Sequence, residues 1–345
     1  MRIAVIGAGA VGGLVAALAA RAGHEVLVTA RGEHAQAIAR AGLQVDGGWG
    51  EWVAEVELIE TIPNPHQKLV DLLVLATKAH DSAAALEPWA ACDGTPVLVL
   101  QNGLGGEAAV RGALPHSPVA VGLALFAVSL AGPGRITVTG PSGLTFGGNP
   151  AAIVVVEPLL RSALPNDGSV EVLLTDDIHG AQWTKLLVNQ VNALPAITGL
   201  SVQQTVADPA LRAILARGMV ETIAVGDALG VRWGRIGAVD AQTVATVRTA
   251  GPAAAAKLAE RLAAAMSDVP NPASMLQSIR RGRMTEVDAI NGAVVSLGVS
   301  LGVPTPVNAA LVTLVHRVEQ SASTDGGSFV SVRELVASIP PTADR

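Results

Sequence analysis

Of the 23 lysines and arginines in this chain of 345 residues, only four are lysine: Lys68, Lys78, Lys185 and Lys257. Arginine stays protonated under physiological conditions. A site that must release a proton during reaction therefore requires lysine where charge alone would accept arginine. Tyr is absent, which removes the phenolic alternative. Lys185 is followed by Asn189 and Asn192 at i+4 and i+7, a spacing that gathers one amine and two amides on one face of a helix beginning near Gly180. The alternative is a stripe of helix surface or interhelical hydrogen bonds. Lys78 and Asn102 each follow an apolar run with strand character, so both fall at the carboxyl edge of a sheet, where doubly wound folds bind ligands. Asn102-Gly103 also reads as a plain turn.

Two further segments carry polar groups in apolar surroundings. Ser274-Met275-Leu276-Gln277 has the form of a capping box, and a serine at the positive end of a helix can hold a carboxylate. Glu286 lies in a stretch that reads as helical and apolar, where an acid needs a partner, and Lys185 is a candidate for it.

Near the amino terminus, Gly7-Ala8-Gly9-Ala10-Val11-Gly12 follows a strand and opens a helix. In that context the first glycine permits the tight turn, the second lets backbone approach a pyrophosphate, and the third lets helix pack on strand. The second strand ends at Thr29-Ala30-Arg31, where an enzyme selective for NAD usually carries an acid. A guanidinium there suits a 2'-phosphate, so NADPH is the expected cofactor. Arg31 alternatively reads as an exposed strand end. His34 offers a further contact, or is an ordinary surface histidine.

These residues need a scaffold. Segments 2–6, 25–29, 69–76, 96–100 and 119–127 read as buried strands separated by helical stretches, the pattern of a parallel doubly wound sheet. Segments 136–147 and 170–174 read as further strands. From 179 to about 320 the period is helical, with breaks at Pro195, Gly230, Pro252, Pro270-Asn271-Pro272 and Pro304-Thr305-Pro306, followed by a loop and one last short helix. The expected organisation is an α/β Rossmann domain over 1–177 and an all-α domain over 178–345.

Half of the residues are hydrophobic and 15% are charged, so the chain is globular. With a net charge of -6 and 2% aromatic residues, it has neither a broad basic field nor stacking platforms for nucleic acid. The charge-free runs 3–20 and 118–133 are punctuated by glycine and read as strand and turn, not as export or membrane segments. Cys92 is the only cysteine, which excludes an internal disulfide or a cysteine-based metal cluster and fits the cytoplasm. No metal site is expected. Apolar surface of the helical domain makes a homodimer the expected assembly.

Taken together, the motifs resemble the ketopantoate reductase (2-dehydropantoate 2-reductase) family along most of the chain. The matching strings are the glycine-rich turn, Ala30-Arg31-Gly32-Glu33-His34, Thr77-Lys78-Ala79, Gln101-Asn102-Gly103, Trp183-Thr184-Lys185-Leu186, Ser274-Met275-Leu276-Gln277, Thr285-Glu286-Val287-Asp288, Ile290-Asn291-Gly292 and Gly302-Val303-Pro304-Thr305-Pro306. The resemblance implies a helical domain like that of 6-phosphogluconate dehydrogenase. It also implies reduction by NADPH of the C2 ketone of a small 2-oxo acid, 2-dehydropantoate, to pantoate for pantothenate and coenzyme A synthesis.

By the same resemblance, Lys185 is the general acid and Glu286 binds the substrate hydroxyl and helps set the protonation of that lysine. Ser274 takes the substrate carboxylate, Asn189 the substrate hydroxyl, and Asn102 orients nicotinamide and substrate, with Lys78 beside both. Gly7, Gly9, Ala10, Val11, Gly12 and Arg31 belong to the cofactor site, and Asn192 joins the substrate set. The chain departs from the family pattern eight residues after the lysine, where Asn is usual and Ala193 stands, so the 2-oxo acid can differ from 2-dehydropantoate. Two other readings remain at this level: a β-hydroxyacid or opine-type dehydrogenase, and a non-catalytic NADPH sensor that would have no need of Lys185 and Glu286 together.

Overall fold

The computed structural model describes residues 1–59, 70–266, 270–324 and 328–341, so Lys68 and Leu69 lie outside the described residues. The chain divides into two compact units, Met1–Ile178 and His179–Arg345.

In the first unit the strands are β1 (Arg2–Ile6), β2 (Glu25–Val28), β3 (Leu43–Gly47), β4 (Trp52–Ala54), β5 (Glu57–Leu58), β6 (Leu72–Leu75), β7 (Val97–Val99), β8 (Val119–Ala124), β9 (Ala127–Gly132), β10 (Arg135–Gly140), β11 (Leu144–Gly148) and β12 (Val172–Leu174). The main sheet runs β12-β11-β8-β7-β6-β1-β2-β5. Six strands, β5-β2-β1-β6-β7-β8, are parallel, and β11 joins β8 antiparallel. Numbered by their own sequence order, the six lie 3-2-1-4-5-6, the Rossmann arrangement, as the sequence led us to expect. The order reverses between β1 and β6. The runs Leu72–Leu75 and Val97–Val99 are buried throughout, which is why they read as continuous apolar strands rather than alternating ones.

A second sheet, β4-β3-β10-β9, has no counterpart in the sequence reading. Segment 119–127 is not one strand: β8 stops at Ala124 and β9 starts at Ala127 in the other sheet. Segment 136–147 likewise divides into β10 and β11 around Pro141-Ser142-Gly143, and β5 is two residues long, too short for periodicity to reveal. Helix Ala10–Arg21 packs against strands of both sheets, and residues 12–19 are all buried. A helix covered on every side needs no polar face. This accounts for the charge-free run 3–20, and among the described residues no helix is long and apolar enough to cross a membrane.

The second unit is helical, as expected. Three of its prolines start helices: Pro209, Pro252 and Pro306 are the first residues of Pro209–Ala228, Pro252–Ala264 and Pro306–Thr324, where the missing N–H costs nothing. Asp208 caps the first of these by accepting from the amides of Ala210 and Leu211, and Ser201 with Gln204 forms a complete capping box on Val202–Ala207.

Lys185 is carried by helix Ile178–Asn189, which is held tightly to segment 232–234. Thr184 Oγ1 donates to the Gly234 carbonyl at 2.8 Å. Trp183 meets Trp233 edge to face with centroids 6.2 Å apart. A Cβ on Gly180 would lie 1.9 Å from the Arg232 carbonyl oxygen, a backbone atom that cannot rotate away. Gly180→Ala is therefore expected to destabilise the chain by about 1–3 kcal/mol, the usual range for overpacking, and a denaturant midpoint equal to that of the wild type would refute the tight fit.

Candidate active site

Three neighbouring strands of the parallel sheet deliver candidate residues to one carboxyl edge. The glycine-rich turn follows β1, Lys78 follows β6 and Asn102 follows β7, on either side of the point where strand order reverses. The backbone of the turn is fixed first. Gly7 has φ +94°, and its amide donates to Thr29 Oγ1 at 2.9 Å while the Ala8 amide donates to the Thr29 carbonyl at 2.8 Å. A Cβ on Gly12 would lie 2.1 Å from the Gly7 carbonyl oxygen. Gly9 differs: nothing lies within 4 Å of the Cβ it lacks.

Gly9 is the N-cap of the helix that Ala10 and Val11 open. No side chain caps that end and its first turn holds no acid, so the positive end of the helix is available to an anion. The open space at Gly9, the uncapped amides and the helix terminus together fit a nucleotide pyrophosphate. Arg31 is exposed just beyond β2, at the N-cap of helix Gly32–Ala41, and forms no ion pair among the described residues.

Lys78 and Asn102 are half-buried. Gln101, buried beside Asn102, was not singled out from the sequence, although its neighbour was. Its Nε2 donates to the Thr77 carbonyl at 2.6 Å and to Ser82 Oγ at 2.7 Å, and Ser82 Oγ donates in turn to the Lys78 carbonyl at 3.3 Å. One amide thus fixes the backbone on both sides of Lys78 and ties it to the Asn102 segment. Gly103 has φ +79°, so Asn102-Gly103 is also a turn, and the two readings of that dipeptide coexist.

In the second unit Lys185 is half-buried, with Thr184, Leu186 and Leu187 buried around it. Burial desolvates its ammonium and pushes its pKa down to about 8. Asn189, also buried, ends the α-helix. Residues Gln190–Asn192 then tighten into a 3-10 turn, in which positions three apart eclipse, so Asn192 stays on the side of Asn189. Its amide is engaged at both ends. Nδ2 donates to the Asn189 carbonyl at 2.9 Å, and Oδ1 accepts from both the amide and the hydroxyl of Ser274 at 3.1 Å.

The capping box expected at Ser274 does not form. Helix Ala273–Arg280 starts two residues earlier than a Ser274 cap would place it, with Pro272 at its N-cap and no side-chain cap, while Asn271 Oδ1 takes the amide of Ala273 at 2.8 Å. Among the described residues Ala273 is the only non-glycine with positive φ, +58°, so the chain enters this helix through a strained residue directly before Ser274.

Glu286, unlike Ser274, is not helical. It sits in a turn before helix Asn291–Leu301, where the Thr285 amide donates to Glu319 Oε1 at 2.6 Å and Thr285 Oγ1 accepts from the Val287 amide at 3.1 Å. These side chains compete with helical bonds for the two amides and win. Five residues on, Asn291 Nδ2 donates to Gln190 Oε1 at 2.8 Å and to Asn308 Oδ1 at 3.0 Å, which joins the Glu286 turn to the end of the Lys185 helix. Asn308 is held by Glu221, whose carboxylate accepts from the amides of Val307 and Asn308 and from Asn308 Nδ2. Burial pushes the pKa of Glu221 up, against those bonds. Gln190, Glu221, Asn291 and Asn308 were not identified as functional from sequence. Their signal was a polar residue recurring inside apolar segments, which periodicity alone assigns to the core.

Family models described as ketopantoate reductase PanE/ApbA and ketopantoate reductase PanE/ApbA C terminal match residues 3–151 and 177–319. The 2-dehydropantoate 2-reductase of Archaeoglobus fulgidus is 31% identical over 320 residues, which span 92% of this chain and 98% of the relative. That of Mesorhizobium japonicum is 30% identical over 350 residues, with 92% and 98% covered. Among solved structures, a PanE/ApbA family ketopantoate reductase from Ralstonia eutropha superposes with a TM-score of 0.76 at 30% identity, covering 93% of this chain and 99% of its own. A D-mandelate dehydrogenase with NADH and anilino(oxo)acetate gives 0.77 at 26% identity, with the same coverage. The chain thus belongs to the ketopantoate reductase family, a family of NADP-dependent oxidoreductases.

Proposed function

We propose that this chain reduces the C2 ketone of 2-dehydropantoate to pantoate with NADPH, the reductive step toward pantothenate and coenzyme A. The observation that carries this reading is a half-buried lysine with a pKa near 8, on a helix locked by Gly180, Trp183 and Thr184, in a chain whose relatives carry that activity in their names. The bound nicotinamide nucleotide supplies the hydride. Negative charge grows on the ketone oxygen as C2 is reduced, and Lys185, protonated below pH 8, stabilises that oxygen and then gives it a proton from Nζ. Solvent later restores the lysine proton.

Glu286 receives the substrate hydroxyl and keeps negative charge near the ammonium. Asn189 contacts the same hydroxyl, Ser274 takes the carboxylate by turning its hydroxyl from Asn192 Oδ1 to the substrate, and Asn192 holds the Ser274 amide while bordering the substrate. Lys78 and Asn102 orient nicotinamide and ketone. Gly7, Gly9, Ala10, Val11 and Gly12 receive the pyrophosphate, and Arg31 the 2'-phosphate. A homodimer in the reducing cytoplasm is the proposed assembly and location, in keeping with a single free cysteine, Cys92. A second reading, reduction of an aryl 2-oxo acid by the same chemistry, draws on the likeness to D-mandelate dehydrogenase and on Ala193.

Four experiments test this reading. NADPH oxidation with 2-dehydropantoate, phenylglyoxylate and other 2-oxo acids should give the highest kcat/KM for 2-dehydropantoate; preference for phenylglyoxylate would select the aryl reading, and silence across the panel with tight NADPH binding would leave a sensor. Lys185→Ala should lower kcat by a factor of about a hundred or more, in the usual range for a positioned acid, with NADPH affinity kept. In the unmutated enzyme, kcat/KM for reduction should be flat below pH 8 and fall tenfold per unit above it, because the proton required on Lys185 is lost there. A profile level to pH 10 would exclude Lys185 as the acid. Arg31→Ala should raise KM for NADPH by about tenfold, the loss of roughly one charge-assisted pair, and leave KM for NADH unchanged; equal effects on both would remove the 2'-phosphate assignment.

A further inference from the structure

We infer that His34 is a positioning residue of the cofactor loop, an imidazole held in one tautomer that aims the Gly9 amide. This rests on the proposal that the turn Gly7-Ala8-Gly9 receives the nucleotide pyrophosphate. His34 stands in the first turn of helix Gly32–Ala41, three residues after Arg31. Its Nδ1 lies 2.9 Å from the Gly134 amide nitrogen, and its Nε2 lies 2.6 Å from the Ala8 carbonyl oxygen. A backbone amide only donates and a carbonyl only accepts. Nδ1 is therefore the acceptor, and the ring proton sits on Nε2 and is donated to Ala8. The ring is neutral, with both nitrogens engaged.

The consequence follows from peptide planarity. The Ala8 carbonyl and the Gly9 N–H belong to one trans peptide and point in opposite directions. Holding the carbonyl against His34 turns the Gly9 N–H away from it. The flanking groups are committed: the Gly7 and Ala8 amides go to Thr29, and the Gly9 carbonyl accepts from the Gly13 amide. The Gly9 N–H, in contrast, has no acceptor among the described residues and stands beside the open space where a Cβ would meet nothing within 4 Å. Without His34 this peptide is free to rotate, because Gly9 offers no side-chain resistance. The same ring ties the loop to the helix that Arg31 precedes, so the Gly9 amide and the Arg31 backbone keep a fixed separation.

The test is titration of NADPH into the purified full-length chain, with steady-state KM values for cofactor and 2-oxo acid and a thermal melt of each variant. His34→Ala should weaken NADPH binding by about tenfold, the worth of one or two hydrogen bonds, and raise KM for cofactor while KM for the oxo acid at saturating NADPH stays constant. His34→Asn, which keeps an acceptor near Gly134 but falls short of Ala8, should weaken binding equally. His34→Gln, whose amide reaches Ala8, should restore it. Affinity like that of the wild type in His34→Asn, or a loss in His34→Ala that His34→Gln does not recover, would overturn the inference, also where His34→Ala fails to fold. A wild-type chain that binds neither NADPH nor NADH would instead refute the cofactor site itself.

Discussion

A Cβ on Gly7 would sit 2.8 Å from Thr77 Cγ2 and 2.9 Å from the Thr77 amide nitrogen, so the turn after β1 closes against the end of β6 only as glycine. That contact spans the point where strand order reverses, and the arrangement of the first unit's candidate site depends on it. It sets the glycine-rich turn next to the backbone that leads to Lys78, which Gln101 then fixes relative to Asn102. A side chain at Gly7 would have to separate the two strand ends, and the positive φ there already disfavours one. The site is therefore a property of close backbone approach, with the polar side chains added to a frame that glycine makes possible.

The second unit solves a different problem. In the proposed reaction Lys185 must be desolvated enough to release a proton near neutral pH, yet a desolvated ammonium destabilises its surroundings. Its helix is secured by contacts that do not involve the amine: the tight approach at Gly180, the Thr184 hydroxyl bond and the Trp183 ring. At its far end the chain passes into the buried amide series Gln190, Asn291 and Asn308, anchored by the Glu221 carboxylate. Buried amides hold position through directional bonds, where an apolar contact would allow sliding. Here they join the ends of two segments, one carrying Lys185 and the other Glu286.

How much of this was legible in the sequence differs by feature. Strands β1, β2, β6 and β7 and the glycine-rich turn were readable, because buried parallel strands are continuous apolar runs and the turn has a fixed spacing. The second sheet was not: Trp52–Ala54 is three residues long and Ala127–Gly132 follows β8 with only Leu125-Phe126 between them, so one run hid two strands. The local geometry at Ser274 and Glu286 was misread for a common reason. Each lies where a neighbouring side chain, Asn271 or Thr285, captures a backbone amide and displaces the regular helix by a residue or more. Competition of that kind depends on the rotamer of a single side chain and leaves no periodic trace. His34 was legible only as a histidine, since its partners Ala8 and Gly134 are backbone groups far apart in sequence.

The departure at Ala193 takes on a definite form once the backbone is known. Helix Ile178–Asn189 gives way to a 3-10 turn, which advances a side chain by about 120° per residue instead of the 100° of an α-helix. Asn192, one position before the usual asparagine, is thereby brought over Asn189, and Ala193 is wholly buried. The amide of Asn192 then reaches Ser274, whose N–H and O–H converge on its Oδ1 at the same distance of 3.1 Å. Two donors that meet at one acceptor oxygen form a fork, and Ala273 keeps its strained φ at the base of it. Between Lys185 and Ser274, therefore, this chain keeps a buried amide one position before Ala193, bonded to both the Asn189 carbonyl and Ser274. The residues that would distinguish one 2-oxo acid from another are to be sought around that turn.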